Sequence, residues 1–211
     1  MQNKFIFKEN GKYNRQSYKN TLFTDLPEID GQIDFCRSDF RGSKFYKLNI
    51  SANFDRADFM GCSFQSVNFI DTSFGAPQFK NCIFENVIFR NNHYNATVFI
   101  KCSFLNCKFD EESIYSNFTE CSFNKTEFKN LNFERSTVDN SKFLECNFSS
   151  VDFSTLAAED LTFEATSFSS VSMSINYFFS YFIDSKTNLK DIVFEYRGSK
   201  TYLTEEVSDN Y

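Results

Sequence analysis

The sequence predicts an all-β fold, a single stacked solenoid with a ladder of phenylalanine side chains at its centre. Three observations lead to this prediction. The 211 residues include 30 Phe, no Trp and only 2 Pro, and such a skewed composition is typical of internal repeats. The phenylalanines recur every five residues over most of the chain. The position two residues before each Phe is small or compact, and the positions around this pair are mostly polar.

The ladder of fives slips by one residue twice, between Ile50 and Phe54 and between Ile114 and Phe118. A period of five matches neither the 3.6 of a helix nor the 2 of a strand, so the backbone must turn a corner about every five residues. Two side chains in five therefore point inward and three point outward. The predicted rungs are Phe35, Phe40, Phe45, Ile50, Phe54, Phe59, Phe64, Phe69, Phe74, Phe79, Phe84, Phe89, Tyr94, Phe99, Phe104, Phe109, Ile114, Phe118, Phe123, Phe128, Phe133, Val138, Phe143, Phe148, Phe153, Ala158, Phe163, Phe168, Met173, Phe178 and Ile183. The phenylalanines outside this ladder are Phe5, Phe7, Phe23, Phe179, Phe182 and Phe194.

These repeats carry a family resemblance. Residues 62–69, CSFQSVNF, and residues 151–153, VDF, resemble the A(D/N)Lxx consensus of the pentapeptide-repeat family, with Phe in place of Leu. The resemblance covers about residues 35–183. It implies the fold of that family, a right-handed quadrilateral β-helix with four pentapeptides in each coil. At that count the ladder makes about eight coils.

The chain divides into three predicted segments. Residues 1–34 form a non-repeat extension that caps the N-terminal end, because the open ends of a solenoid need covers. Within it, the stretch around Asn10-Gly11 is typical of a hairpin. Residues 35–183 form the solenoid. Residues 184–211 form a C-terminal cap or dimerisation segment and a tail, with a strand pair predicted over residues 191–203.

The aromatic residues near the end of the ladder have two interpretations. They either cap the last coil or bury against a second copy of the chain in a homodimer through the C-terminal end, and both can hold at once. The residues in question are Tyr177, Phe179, Tyr181 and Phe182.

The cysteines are the residues most similar to a metal site or a set of disulfides, because several are spaced by twenty and would stack. The small inward position nevertheless favours a core role, since a free cysteine behaves as a small hydrophobe. No CxxC motif or histidine partner accompanies them, so we expect neither a metal site nor a cofactor. The cysteines at this position are Cys62, Cys82, Cys102, Cys107, Cys121 and Cys146.

Catalysis is not indicated by any motif. His93 is the only histidine, it occupies an outward position, and no Ser or Cys nucleophile near it has a recognisable context. The chain contains neither a P-loop nor a GxGxxG motif. The sequence therefore predicts no catalytic residue and a protein that is not an enzyme.

Net charge and hydropathy limit the partners. The net charge of −6 argues against direct binding to nucleic acid or to an anionic membrane. No apolar run is long enough for a transmembrane helix, and the charged start does not match a signal peptide, so we expect a cytoplasmic protein.

The charges are unevenly divided. Residues 35–109 hold 9 Lys/Arg and 5 Asp/Glu, whereas residues 110–183 hold 4 Lys/Arg and 12 Asp/Glu. Asp139 and Glu159 are twenty residues apart and are expected to stack on one face. Either the imbalance is accidental, since outward positions must be polar, or the acidic half is a binding surface. The candidate residues for such an interaction surface are Asp139, Glu145, Asp152, Glu159, Asp160 and Glu164.

Two functions are compatible with these features. The first is a rigid interaction scaffold whose protein partner the sequence does not identify. The second comes from the resemblance, because well-understood members of the family, the Qnr-like proteins, mimic B-form DNA, bind type II topoisomerases and protect them from quinolones or toxins. The chain is similar to them in size, CxF repeats and acidic C-terminal half. It differs in lacking a loop insertion, in its longer N-terminal extension and in its C-terminus, so no contact residue carries over.

Overall fold

The backbone forms a stack of parallel coils. The computed structural model describes residues 3–6, 12–26, 32–133, 135–174, 181–196 and 199–203, and all regular structure in these ranges is β-strand. The strands are β1 Asn3–Lys4, β2 Thr21–Phe23, β3 Ile33–Asp34, β4 Lys44–Ile50, β5 Ala52–Asn53, β6 Ser63–Ile70, β7 Ser73–Gly75, β8 Gln78–Lys80, β9 Ile83–Glu85, β10 Ile88–Arg90, β11 His93–Asn95, β12 Thr97–Ile100, β13 Ser103–Leu105, β14 Lys108–Ser113, β15 Ser116–Thr119, β16 Ser122–Asn124, β17 Glu127–Asn132, β18 Thr137–Asp139, β19 Lys142–Leu144, β20 Asn147–Phe153, β21 Ala157–Glu159, β22 Leu161–Glu164, β23 Ser167–Ser174, β24 Tyr181–Ile183, β25 Asn188–Tyr196 and β26 Ser199–Leu203.

Each coil has four sides, and each side contributes one inward rung, in register from coil to coil. The predicted all-β quadrilateral solenoid of about eight coils is confirmed. We number the sides in chain order. Side 1 holds Phe45, Phe64, Phe84, Phe104, Phe123, Phe143 and Phe163; side 2 holds Ile50, Phe69, Phe89, Phe109, Phe128, Phe148 and Phe168; side 3 holds Phe35, Phe54, Phe74, Tyr94, Ile114, Phe133, Phe153 and Met173; side 4 holds Tyr18, Phe40, Phe59, Phe79, Phe99, Phe118, Val138 and Ala158.

The rungs fill the interior by stacking their rings at about the spacing of the strands. The ring centroid of Phe104 lies 4.7 Å from that of Phe84 and 4.6 Å from that of Phe123, with interplanar angles of 3° and 10°. Within its own coil, Phe104 contacts Phe99 edge-on at 5.7 Å and 63°. Both arrangements suit the quadrupole of an aromatic ring. The solenoid therefore has a solid core, and Phe104 is fully buried.

The corners need a left-handed backbone conformation. In most coils the residue two positions after a rung has a positive φ, as at Asn81 (54°), Asn86 (54°) and Lys101 (53°). Asparagine tolerates this region better than most residues, and seven of the twenty-four non-glycine corners are Asn. The corner conformation explains why this position is polar and often Asn, which the period of five alone does not.

The two slips shorten one coil each. Phe45 pairs with Phe64 and Phe99 pairs with Phe118, so these coils have 19 residues instead of 20. The register on every side is otherwise maintained. The slips are therefore local adjustments that leave the rungs stacked.

Ring stacking begins before the predicted ladder. Phe23, which the period of five leaves out, pairs with Phe45 and stacks on it at 4.5 Å and 4°. Phe5 stacks on Phe23 at 4.8 Å, and Tyr18 stacks on Phe40 at 5.1 Å. The interpretation of Phe5 and Phe23 as off-ladder residues was wrong, because spacings of 22 between coils interrupt the period without interrupting the stack. The hairpin around Asn10-Gly11 lies outside the described residues.

The C-terminal end contains a third change of spacing. Phe163 pairs with Ile183 after 20 residues, but Phe168 pairs with Leu189 after 21. A turn absorbs the extra residue, with the Thr187 N–H donating to the Asp184 carbonyl at 3.2 Å. The backbone of Phe194 then lies opposite that of Met173, so Phe194 follows the ladder register and its assignment as off-ladder was wrong. The predicted strand pair is present as antiparallel β25 and β26.

One region of the core uses a different size pattern. The rung on side 4 is Ala158, and the usually small positions before it and before Phe163 are occupied by Leu156 and Leu161, all buried. The larger leucines compensate for the missing ring. The space that remains between these side chains is about 10 Å³, too small to hold a water molecule.

A central rung should be far more sensitive to truncation than its outward neighbour. We expect Phe104→Ala to cost about 3–5 kcal/mol of unfolding free energy, because rings above, below and beside it cannot all collapse into the void. The control Leu105→Ala, at the adjacent outward and half-buried position, should cost no more than about 1 kcal/mol. Urea unfolding of both variants measures the difference, and equal losses would contradict the assignment of rungs.

Candidate interaction surface

The cysteines at the small inward position lie in the core. All six are buried, and their thiols donate to backbone carbonyls, as in Cys62 Sγ to the Phe40 carbonyl at 3.0 Å and Cys107 Sγ to that of Phe84 at 3.5 Å. Burial raises the pKa of Cys107 and of Cys146 to about 12. These thiols therefore stay protonated and serve as packing groups. Among the residues that the structure describes, no cluster of His, Cys, Asp or Glu could hold a metal ion.

His93 lies on β11 of side 3 and is exposed. Its neighbour across the sheet is Ser73 on β7, and its N–H donates to the Thr72 carbonyl at 2.9 Å. This places His93 in the regular outward array of the sheet. The described part of the chain also contains no helix long and apolar enough to cross a membrane.

The six acidic candidates are distributed over three sides. Asp139 and Glu159 occupy neighbouring strands of side 4, β18 and β21, and lie directly opposite each other in the register, as expected from their spacing of twenty. Asp160 follows at the corner between sides 4 and 1. The others are separate: Glu164 lies on side 1, Glu145 at the corner between sides 1 and 2, and Asp152 on side 3.

The acidic column on side 4 is short. Going toward the N-terminus, the residues in the column of Asp139 and Glu159 are Thr119, Ile100 and Lys80. None of the acids Asp139, Glu159 and Asp160 has an ion-pair partner in the described ranges. Glu145, in contrast, lies 3.6 Å from the Lys125 ammonium. The geometry thus joins three of the six predicted acids and separates the other three.

Basic residues collect at the opposite end of side 4. Arg15, Arg37 and Arg56 occupy successive corners between sides 3 and 4, and all three are exposed. Beside them, the Arg41 guanidinium donates to the Asp39 carboxylate at 2.6 and 2.9 Å. These hydrogen bonds from Arg41 lower the pKa of Asp39 to about 2. Side 4 is therefore basic at its N-terminal end and acidic at its C-terminal end.

Sequence reasoning missed the apolar residues on side 1. Ile83 is 55% exposed and Tyr46 is 37% exposed, while Leu105 and Leu144 on the same side are half-buried. Ile83 and Leu105 lie on the adjacent strands β9 and β13. The charged residues of side 1 between β4 and β22 are only Lys44, Glu85, Lys142 and Glu164. The signal in the sequence is an aliphatic residue directly before or after a rung.

The aromatic candidates at the C-terminal end are only partly described. Tyr177 and Phe179 lie outside the described residues. Tyr181 and Phe182 belong to β24, which pairs with β22, but their side chains also lie outside the described part. Their role in capping or in dimerisation therefore stays a prediction, as do the boundaries of the two terminal segments.

The opposite end of the stack has an open cavity of about 380 Å³. Its floor is aromatic, formed by Phe5, Tyr13 and Tyr18, and Lys4 and Lys12 lie at its edge. Burial, followed by the proximity of Tyr13, raises the pKa of Tyr18 to about 12. The Tyr18 hydroxyl donates to the Tyr13 carbonyl at 3.1 Å, which ties the two rings of the floor together.

Coils of about twenty residues, parallel strands on four sides and a stacked aromatic core define a β-solenoid repeat protein. A family model described as pentapeptide repeats matches residues 52–91 and 116–154, in eight copies. The chain is thus a pentapeptide-repeat protein, and the family resemblance of the sequence is confirmed. No curated protein matches the chain.

Solved structures with a similar fold include two pentapeptide-repeat proteins. Full-length QnrB1, described as a plasmid-mediated fluoroquinolone resistance protein, is 13% identical, with 89% of each chain covered and a TM-score of 0.35. A trypsin-treated form of QnrB1 is 15% identical over 72% of this chain and 83% of that chain, with a TM-score of 0.38. HetL from Nostoc sp. strain PCC 7120, described as involved in heterocyst differentiation regulation, is 13% identical over 90% and 94%, with a TM-score of 0.31.

Thiol labelling should separate the one outward cysteine from the six in the core. Cys36 follows a rung and is half-buried, whereas the other six are buried. Because alkylation requires an accessible thiolate, we expect iodoacetamide at pH 8 to label native protein once and unfolded protein at all seven cysteines. Intact-mass measurement counts the adducts. The Cys36→Ser variant should take no label when native, and rapid labelling at several sites would contradict the core assignment.

Proposed function

We propose that the chain is a non-enzymatic scaffold that binds a protein partner through side 1. The observation that supports this most directly is Ile83, a large aliphatic side chain that is 55% exposed at the middle of a regular sheet. Isolated exposed apolar residues are ordinary, but Ile83 has Leu105 on the next strand and Tyr46 on the same side. Together they form an apolar stripe with few charges, which is typical of the centre of a protein interface.

The fold supports this proposal through its rigidity. Inward positions are filled by stacked rings, and the backbone groups of the strands pair with neighbouring coils. The outward side chains are therefore held at the spacing of the strands, and a partner that binds them loses little to the ordering of this surface. Tyrosine and large aliphatic groups contribute most when they are surrounded by polar residues that exclude water. Side 1 has this composition, with Gln65 hydrogen-bonded to Glu85 at 3.2 Å beside Ile83.

The proposed anchor can be tested by affinity capture. Tagged wild-type chain, Ile83→Lys and the control Ile88→Lys, which places the same change on side 2, are used to capture partners from cells of the source organism. We expect a partner bound equally by wild type and Ile88→Lys, and bound at least about tenfold less by Ile83→Lys, as for an interface anchor. Quantitative mass spectrometry measures the ratios. Equal capture by all three chains would overturn side 1 as the binding surface.

The second candidate is a DNA mimic that binds a type II topoisomerase. Asp139 and Glu159 support it, because they stack on adjacent strands and lack ion-pair partners in the described ranges. Against it, the column continues as Thr119, Ile100 and Lys80, whereas a mimic of a DNA strand needs negative charge at each step. Side 1 is therefore the better supported surface.

A gyrase supercoiling assay, with and without a fluoroquinolone, tests the second candidate. If the chain is a DNA mimic, micromolar protein should inhibit or protect the enzyme, and Asp139→Lys/Glu159→Lys should abolish the effect because it reverses the charge of the column. Asp152→Lys on side 3 is the matched control and should act like wild type. If wild type has no effect on gyrase, the DNA-mimic function fails, while the scaffold function is judged separately by the Ile83 variants.

A further inference from the structure

Side 4 carries charges of opposite sign at its two ends and an apolar centre. The outward residues of β12 at the middle of this side are Val98 and Ile100, both half-buried. Lys80 on the N-terminal side of this centre is exposed and has no ion-pair partner in the described ranges. Asp139 and Glu159 on the C-terminal side are likewise without one. A surface with this pattern complements a copy of itself that runs in the opposite direction.

We propose that side 4 is a self-association surface, through which two copies of the chain pack side by side with their solenoid axes antiparallel. The two-fold axis lies in the contact plane, parallel to the strands, between β12 and β15. This axis places β12 of one copy over β15 of the other, and β8 over β18. Isologous contacts of this kind are the usual basis of homodimers.

The register of this arrangement matches charges across the contact. Lys80, at the end of β8, faces Asp139, at the end of β18 of the second copy. At the corner, Lys101 faces Glu120; within one chain these two already lie 3.3 Å apart, so four charges alternate in the dimer. Ile100 faces Thr119 near the axis. Each pair occurs twice because of the symmetry.

The remaining positions place no like charges opposite each other. Glu159 faces Met60, and Asp160 faces Gly61. The corner arginines Arg56 and Arg135 face Thr155 and Ala76. Direct like-charge juxtaposition is costly at an interface, so its absence favours this register.

Other arrangements of the same surface are less favourable. An axis through β12 itself would place Arg56 over Arg135 and Lys101 over its own copy. An axis parallel to the solenoid would place each coil over the same coil, so the acidic coil of Glu159 and Asp160 would face itself. Charge complementarity therefore selects the antiparallel dimer with its axis between β12 and β15.

The size of the surface predicts a weak, salt-dependent dimer. The eight coils from Tyr18 to Ala158 span about 34 Å at the strand spacing, and a side of about 13 Å gives roughly 450 Å² for each copy. Stable complexes bury about 800 Å² on each partner, so this interface suits a transient dimer. Because several of its contacts are ionic and exposed, added salt should weaken it.

Charge reversal and its restoration test this dimer. Sedimentation velocity of the full chain over a concentration series, in about 20 mM salt where screening is weak, measures the dissociation constant. We expect Lys80→Glu and Asp139→Lys each to raise this constant at least about tenfold, because each change places like charges together twice. The double variant Lys80→Glu/Asp139→Lys should return it to within about threefold of wild type. The control Lys129→Glu, an exposed change on side 2, should leave it unaltered.

Three results would overturn the proposal. The first is a wild-type chain that stays monomeric at about 0.5 mM in low salt, near the weakest affinity that such an interface would give. The second is a dimer that neither single variant weakens, which would indicate contact through another surface, such as the C-terminal end. The third is a double variant as weak as the singles, which would show that Lys80 and Asp139 do not face each other. Because the test measures only self-association, it is independent of capture through Ile83.

Discussion

Stacking of one aromatic ring on another at the distance between adjacent β-strands is the interaction on which the rest of this structure depends. The rings of Phe104 and Phe84 are 4.7 Å apart and nearly parallel, so the same spacing satisfies both the backbone hydrogen bonds and the ring contact. A residue that is too large or too small at a rung would force these two requirements apart. Where the rung is Ala158, the neighbouring Leu156 and Leu161 restore the volume instead.

The second constraint lies at the corners. A chain that stacks a ring every five residues must turn between rungs, and it does so with a residue at positive φ in almost every pentapeptide. The cost of this conformation for ordinary residues is small individually but recurs many times along the coil. The repeated Asn residues reduce it. The polar corners also leave charged side chains such as Arg15, Arg37 and Arg56 at the edges of the sides.

Function in such a molecule has to come from the outward positions, because the interior is filled by the rungs. The four sides differ in what they present. Side 1 has the exposed Ile83 and few charges, whereas side 4 has a gradient from basic to acidic with aliphatic residues at its centre. A rigid solenoid can therefore hold two different binding surfaces without either disturbing the other.

The sequence by itself determined the solenoid, because a rung at every fifth residue is compatible with only a few backbone shapes, and the inward and outward positions follow from it. It also placed the cysteines in the core and put Asp139 opposite Glu159. The period of five did not identify Phe23 and Phe194 as rungs, because coils of 21 or 22 residues interrupt a period without interrupting a stack. Only the tertiary structure decided which outward residues share a side. Neighbours across the sheet are about twenty residues apart in sequence, and each slip shifts that distance, so Ile83 and Leu105, or Lys80 and Asp139, become members of one surface only when the coils are closed.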